Sequence, residues 1–156
     1  MQIEEANPYG ATSREAIVQF EARRGMLIPL EYKQFLLTSN GGSPTPDGFE
    51  VHGFHGQESV VDSFYRIHEG PKTSRLDWAC EVYKDRIPED IIPIATAAFG
   101  NQICLGWKSK RQGKIYFWDH EDELDENGLS RQDYRNVFLV ANSLQEFLDN
   151  LKEFED

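Results

Sequence analysis

The centre of the chain carries two short apolar segments separated by a basic polar loop. In the first, residues 102–107, large side chains occupy every second position, at Ile103, Leu105 and Trp107. In the second, residues 115–118, both alternating sets of positions are apolar, as in a strand that is covered on both faces. Two such segments flanking a turn predict a β-hairpin, and we expect this hairpin, within residues 91–127, at the centre of a sheet.

Apolar residues at helical spacing predict four helices. These cover residues 12–24, 29–40, 74–84 and 143–151. Thr12 with Glu15, and Ser143 with Glu146, fit the capping box in which a hydroxyl and a carboxyl satisfy free backbone N–H groups. Pro29 suits the first turn of the second helix, because an N–H group there has no partner within the helix.

Shorter apolar segments outside the hairpin predict further strands. They lie at 49–51, 58–66, 91–96 and 136–140. Consecutive strands with short links are expected to pair antiparallel, and the helices are distributed before, between and after them. The sequence therefore predicts a single α+β domain over residues 1–156, with a mostly antiparallel sheet and helices packed around it.

Length and composition are those of one folded domain. A chain of 156 residues with 12% aromatic residues can bury a large core. No apolar run approaches the ~20 residues that are needed to span a bilayer. The first residues of the chain have neither the basic nor the apolar part of a signal peptide. We therefore expect no membrane association and a cytoplasmic location.

The formal net charge of −11 narrows the range of partners. Phosphates would be repelled, so we expect no direct binding to nucleic acid, whereas a basic protein would be attracted. The alternative is that the negative charge only keeps the protein soluble and binds no partner. Cys80 and Cys104 both lie inside apolar patterns, which favours buried free thiols over a disulfide.

An acidic run directly follows the predicted hairpin. It contains Asp119, Glu121, Asp122, Glu123, Asp125 and Glu126. Clustered negative charge can steer and select a basic partner. We therefore predict that these acids bind a partner protein, with the preceding Trp118 as an aromatic anchor. The alternatives are a solvated loop for the acids and a core position for the tryptophan.

Metal binding is a weaker interpretation of the polar residues than partner binding. Residues 123–128 resemble the start of a calcium-binding loop, but the twelfth position of that loop holds Tyr134 in place of a bidentate acid. His52 and His55, with His68 further on, have no cysteine or acid beside them at the spacing of a zinc site. We expect neither a metal nor a cofactor.

Catalysis is likewise not expected. Asp119 and Glu121 flank His120 in sequence, yet consecutive strand residues point to opposite faces, so the two acids are not placed as in a catalytic triad. The chain has no nucleophile-elbow motif, no phosphate-binding loop and no dinucleotide fingerprint.

Three groups of segments resemble one known family. They are 28–36 with 40–42, then 92–95 with 100–106 and 113–121, and finally 140–148. In this order they are similar to the motifs of the SMI1/KNR4 family of the SUKH superfamily, and they span most of the chain. The positions that carry the resemblance are structural: a proline at a helix start, glycines at turns and apolar strand residues. Family motifs commonly have an aspartate near Gly100 and Asn101, where this chain has Ala97, Ala98 and Phe99, so no role of that acid is carried over.

The resemblance implies an α+β fold and a non-enzymatic role. Bacterial members of the superfamily are mostly immunity proteins, which bind and neutralise toxins delivered between competing cells. Fungal members are interaction proteins in signalling and cell-wall regulation. We therefore expect an immunity protein that occludes a cognate toxin stoichiometrically, a basic nuclease being one such toxin. The alternative is an intracellular scaffold or regulatory interaction module unrelated to toxins.

Overall fold

A six-stranded antiparallel sheet forms the centre of the fold, in a computed structural model that describes residues 2–4, 7, 9–67 and 70–154. Its strands follow one another in chain order: β3 Gly48–Glu50, β4 Glu58–Phe64, β5 Ile91–Ala97, β6 Gln102–Gly106, β7 Ile115–Trp118 and β8 Val137–Ala141. Two further short strands, β1 Gln2–Glu4 and β2 Ser43–Thr45, form a separate antiparallel pair. The predicted hairpin is β6–β7, and it lies inside the sheet with β5 and β8 on either side.

Four helices accompany the sheet: α1 Arg14–Arg24, α2 Leu30–Thr38, α3 Leu76–Val82 and α4 Leu144–Asp149. Two predicted starts are confirmed, since α2 begins directly after Pro29 and α4 is capped by Ser143, whose side chain accepts a hydrogen bond from the Glu146 N–H at 3.0 Å. The predicted cap of α1 is wrong by one residue. Ser13, not Thr12, accepts from the Ala16 N–H at 3.1 Å.

The third helix starts later than predicted. Residues Lys72–Ser74 form a separate 3₁₀ turn, and α3 begins only at Leu76. The backbone of Arg75, between the two, is extended, and this interrupts the helical run that the apolar spacing alone indicated. The α+β class with a mostly antiparallel sheet and surrounding helices is confirmed.

Side chains from the β6–β7 hairpin are buried on both faces of the sheet, as predicted. On one face, Ile103, Leu105, Ile115 and Phe117 join the main core, to which α1, α2 and α4 contribute Phe20, Leu36 and Phe147. On the other face, a smaller cluster contains Cys104, Tyr116 and Trp118 with Ile87 and Ile91. The hairpin therefore supports two apolar layers at once, and its side chains are structural.

Both cysteines are buried and free, which confirms the thiol prediction. Burial raises the pKa of Cys80 to about 12 and that of Cys104 well above its usual range, which disfavours the thiolate form of both side chains. Within the described ranges, the helices are all too short or too polar to cross a membrane.

Candidate functional site

The predicted partner-binding residues begin with Trp118, and the structure places this side chain in the core. It is 0% exposed, lies edge-on to Tyr83 with ring centroids 5.6 Å apart, and has the guanidinium of Arg86 5.8 Å from its ring. Its position on the second face of β7 explains the burial, because that face is covered by the segment around Ile87. Trp118 is therefore a core residue, which corrects its placement as an aromatic anchor at the surface.

Asp119 is the next residue of the predicted set, and it is also buried. Its carboxylate accepts a hydrogen bond from the Glu121 N–H at 3.0 Å and so caps the 3₁₀ turn His120–Asp122. Its backbone oxygen accepts from Nδ2 of Asn136 at 3.1 Å. Burial, only partly offset by the hydrogen bond, raises the pKa of this carboxyl. Asp119 therefore fixes the backbone at the start of the acidic run, and its buried carboxylate is not part of the surface.

Glu123 holds the acidic run against the rest of the protein. Its two carboxylate oxygens accept from Nε and Nη2 of Arg86, both at 3.0 Å, and Oε1 lies 3.0 Å from Nδ1 of His120. Burial acts to raise the pKa of Glu123, but its hydrogen bonds and the charges of Arg86 and His120 outweigh burial and lower it. The side chain is only 14% exposed.

Replacing Glu123 with glutamine should lower the free energy of unfolding at pH 7 by about 1–2 kcal/mol, because a charge-assisted pair with Arg86 is lost. A lowered pKa contributes stability that is present above the unfolded-state pKa and is lost as pH falls through the folded-state pKa. The difference from wild type should therefore shrink from pH 7 to about pH 3. Urea unfolding at both pH values measures this.

The Glu126→Gln variant is the matched control for this measurement, since Glu126 is exposed and has no ion pair within the described part of the chain. It should unfold like wild type at both pH values. An equal loss in the two variants would mean that the Arg86 pair does not anchor the run.

Two more acids of the run serve its local structure. Oδ1 of Asp125 accepts from the N–H groups of Asn127 and Leu129, at 2.8 and 3.0 Å, and thereby closes the turn. The Asp122 carboxylate lies 3.5 Å from Nε of Arg131, which also donates to the Asp122 backbone oxygen at 3.1 Å. Only Glu121 and Glu126 of the predicted acids are exposed and without an ion pair in the described ranges.

Glu121 is one of the residues that line a mostly apolar cavity of about 530 Å³. We call this the Phe99 cavity, and it is lined by residues of the segment 54–60, the turn between β5 and β6, Glu121 and Phe154. That turn, Ala98–Gly100, carries Phe99 with its side chain 86% exposed and its φ at 61°. Oδ1 of Asn101 accepts from the His120 N–H at 2.8 Å and joins this turn to the acidic one.

Phe99 is the residue that sequence reasoning missed. The sequence shows an aromatic residue directly before Gly100 in a tight turn between two strands, where an apolar side chain has little core to enter. The family motifs draw attention in this segment only to an aspartate, which the chain lacks. Sequence reasoning also missed Arg86 and Arg131. Their contacts to the acidic run join residues that are 37 and 9 positions apart in the sequence.

The candidates for metal binding and catalysis are not brought together. Among the described residues, no group of three or more His, Cys, Asp or Glu side chains is placed to hold a metal ion. His55 packs on Phe54, with ring centroids 4.4 Å apart. His52 lies in the same loop, and His68 lies outside the described residues. His120 pairs with Glu123, while the Asp119 carboxylate faces a backbone N–H group.

Comparison with known proteins identifies the family. The model of the SMI1 / KNR4 family (SUKH-1) matches residues 11–150. The chain is also similar to the SPbeta prophage-derived uncharacterized protein YokK of Bacillus subtilis (strain 168). The two are 32% identical over 155 residues, covering 89% of this chain and 74% of YokK. With this match extending from the start of α1 to the end of α4, the chain belongs to the SMI1/KNR4 family (SUKH-1).

Proposed function

We propose that this chain is an immunity protein that binds a cognate toxin stoichiometrically and covers its active site, without chemistry of its own. The observation that carries the proposal is membership of the SMI1/KNR4 family (SUKH-1) over residues 11–150. The protein acts in the cytoplasm, where an incoming toxin has its target.

The charge of the molecule supports a basic partner. The chain carries 27 acidic against 16 basic residues, and Glu121 and Glu126 are exposed on turns whose shape is fixed by Asp119 and Asp125. A basic nuclease presents a positively charged groove to nucleic acid, and an acidic surface of fixed shape is complementary to such a groove. Occupation of the groove blocks the substrate without a catalytic residue on the immunity protein.

The first experiment is co-purification with the toxin domain encoded beside this chain, followed by titration to establish one-to-one binding and loss of toxin activity. Failure of the wild-type protein to bind, or the absence of any neighbouring toxin gene, would overturn the proposal in favour of a regulatory interaction module.

Reversing the charge of both Glu121 and Glu126 to lysine should weaken toxin binding by about 10-fold or more and reduce its dependence on salt. The loss should fall mainly on the association rate, because steering by exposed charge acts before contact. Surface plasmon resonance at two salt concentrations measures both quantities.

The matched control reverses two exposed acids elsewhere, Glu15 at the start of α1 and Asp149 at the end of α4. Both double variants change the net charge equally, so a general charge effect would weaken binding to the same extent in each. An unchanged affinity and salt dependence in the Glu121 and Glu126 variant would exclude this acidic surface as the contact.

A further inference from the structure

The Phe99 cavity combines an apolar interior with a negatively charged rim. Its apolar lining residues are Phe54, Val60, Ala98, Phe99 and Phe154. The charged residues among its lining are Glu58 and Glu121, and in the described part of the chain neither lysine nor arginine lines it. A surface of this composition favours an apolar side chain that has a basic residue next to it.

Phe99 is placed where the fold gains little from it. At 86% it has the highest exposure among the large apolar side chains of the described residues. Its φ of 61° is a left-handed conformation that residues with a β-carbon disfavour, so a glycine or asparagine would suit the backbone better. An exposed aromatic residue in a disfavoured conformation indicates a role outside the core.

The turn that carries Phe99 is held in a fixed position relative to the acidic turn. Asn101 is buried, and its side-chain oxygen accepts the His120 N–H at 2.8 Å. On the acidic side, Asp119 caps the turn and Glu123 ties it to Arg86. The backbones of the two turns that carry Phe99 and Glu121 are therefore joined, which lowers the cost of ordering a contact to both.

We infer that the Phe99 cavity is the centre of the toxin-binding surface and that it receives an apolar side chain flanked by lysine or arginine from the toxin. The inference rests on the proposed function and assigns the contact within it. Phe99 supplies the apolar energy of the contact, whereas Glu121 and Glu58 select the basic neighbour. The occupant is a protein segment, since the charge of the rim and of the whole chain repels nucleic acid.

Replacing Phe99 with alanine should weaken binding of the toxin domain by about 10- to 100-fold, because a central aromatic side chain is lost from the contact. The effect should appear in the dissociation rate and leave the salt dependence unchanged, in contrast to the Glu121 and Glu126 variant. The melting temperature should not fall, since the ring is mostly in solvent. Surface plasmon resonance and thermal unfolding measure these quantities.

The control is Leu27→Ala. Leu27 is a similarly exposed apolar residue, at 74%, and it lines a different cavity together with Trp107 and Lys108, at the opposite end of β6 from Phe99. This variant should bind the toxin domain like wild type. If Phe99→Ala binds the toxin domain as tightly as wild type, the inference is overturned, whatever the result for Leu27→Ala. The proposed immunity function would still stand.

A second copy of this chain is the competing occupant of the cavity. Light scattering of the wild type and of Phe99→Ala distinguishes it: a wild-type dimer that becomes monomeric in the variant, with toxin binding retained, would assign the cavity to self-association and overturn the inference. If wild-type protein fails to bind the toxin domain at all, the proposed function fails first.

Discussion

Replacing Trp118 with alanine will lower the free energy of unfolding by about 3–5 kcal/mol, the largest effect that we expect from a single substitution in this chain. The side chain is fully buried between β7 and the segment that covers the second face of the sheet. In the wild-type protein the ring of Tyr83 and the guanidinium of Arg86 pack on the indole. Removing the indole leaves a cavity lined by these two side chains. Urea unfolding followed by circular dichroism measures the loss.

The Trp118→Phe variant separates the packing of the ring from the contribution of its N–H group. The indole Nε1 has no hydrogen-bond partner within the described ranges, so its removal costs little and the phenylalanine keeps most of the buried surface. We expect a loss of about 1 kcal/mol and unchanged binding of the toxin domain. Weakened binding by a stably folded Trp118→Phe protein would return this residue to the partner-binding surface.

Replacing Gly106 with alanine will destabilise the fold by about 3 kcal/mol. A β-carbon built on Gly106 would overlap the backbone oxygen of Arg111. The loop cannot move away freely, because the Gly106 N–H donates to the oxygen of Lys114 and the Gly113 N–H donates to the oxygen of Gly106, both at 2.9 Å. Accommodation of the methyl group must break this end of the β6–β7 hairpin. Urea unfolding followed by tryptophan fluorescence measures the change.

Gly113→Ala in the same loop is the control. Gly113 has a φ of 83°, and no atom lies within 4 Å of a β-carbon built there, so the substitution meets backbone strain but no clash. Its expected cost is about 1 kcal/mol. Equal losses of unfolding free energy in the two variants would show that the loop relaxes around the new methyl group at position 106. The close approach of Gly106 to the Arg111 backbone would then not contribute to stability.

Alternation along β6 and β7 was sufficient to predict the centre of the fold from the sequence. Side-chain direction in a strand depends only on position, so Ile115 and Phe117 had to face one layer and Tyr116 and Trp118 the other. The cap of α1 was missed because the spacing from Thr12 to Glu15 indicated a capping box, whereas the neighbouring Ser13 offers a similar hydroxyl and is the actual cap. The choice between them depends on where the preceding chain enters the helix, which local sequence does not determine.

The acidic run shows why the site was predicted only in part. Its charge is visible in the sequence, but the partners that bury Asp119 and bind Glu123 are not, because Asn136 and Arg86 reach them only after the sheet has formed. Asp122 pairs with Arg131 and Asp125 accepts from two backbone N–H groups, so Glu121 and Glu126 are the exposed acids of the run without an ion pair in the described part of the chain. Binding by the acidic run stays a prediction, now confined to fewer side chains and joined by Phe99.

The turn Ala98–Gly100 has a consequence for how such proteins diversify. Its aromatic side chain makes no contribution to either apolar layer, while Asn101 directly after it is buried and fixes the turn. A different residue at position 99 therefore alters the surface offered to a partner and leaves the fold intact. Under the proposed contact, chains with the same sheet and helices could change partner by substitution at this one exposed turn, with no compensating change in the core.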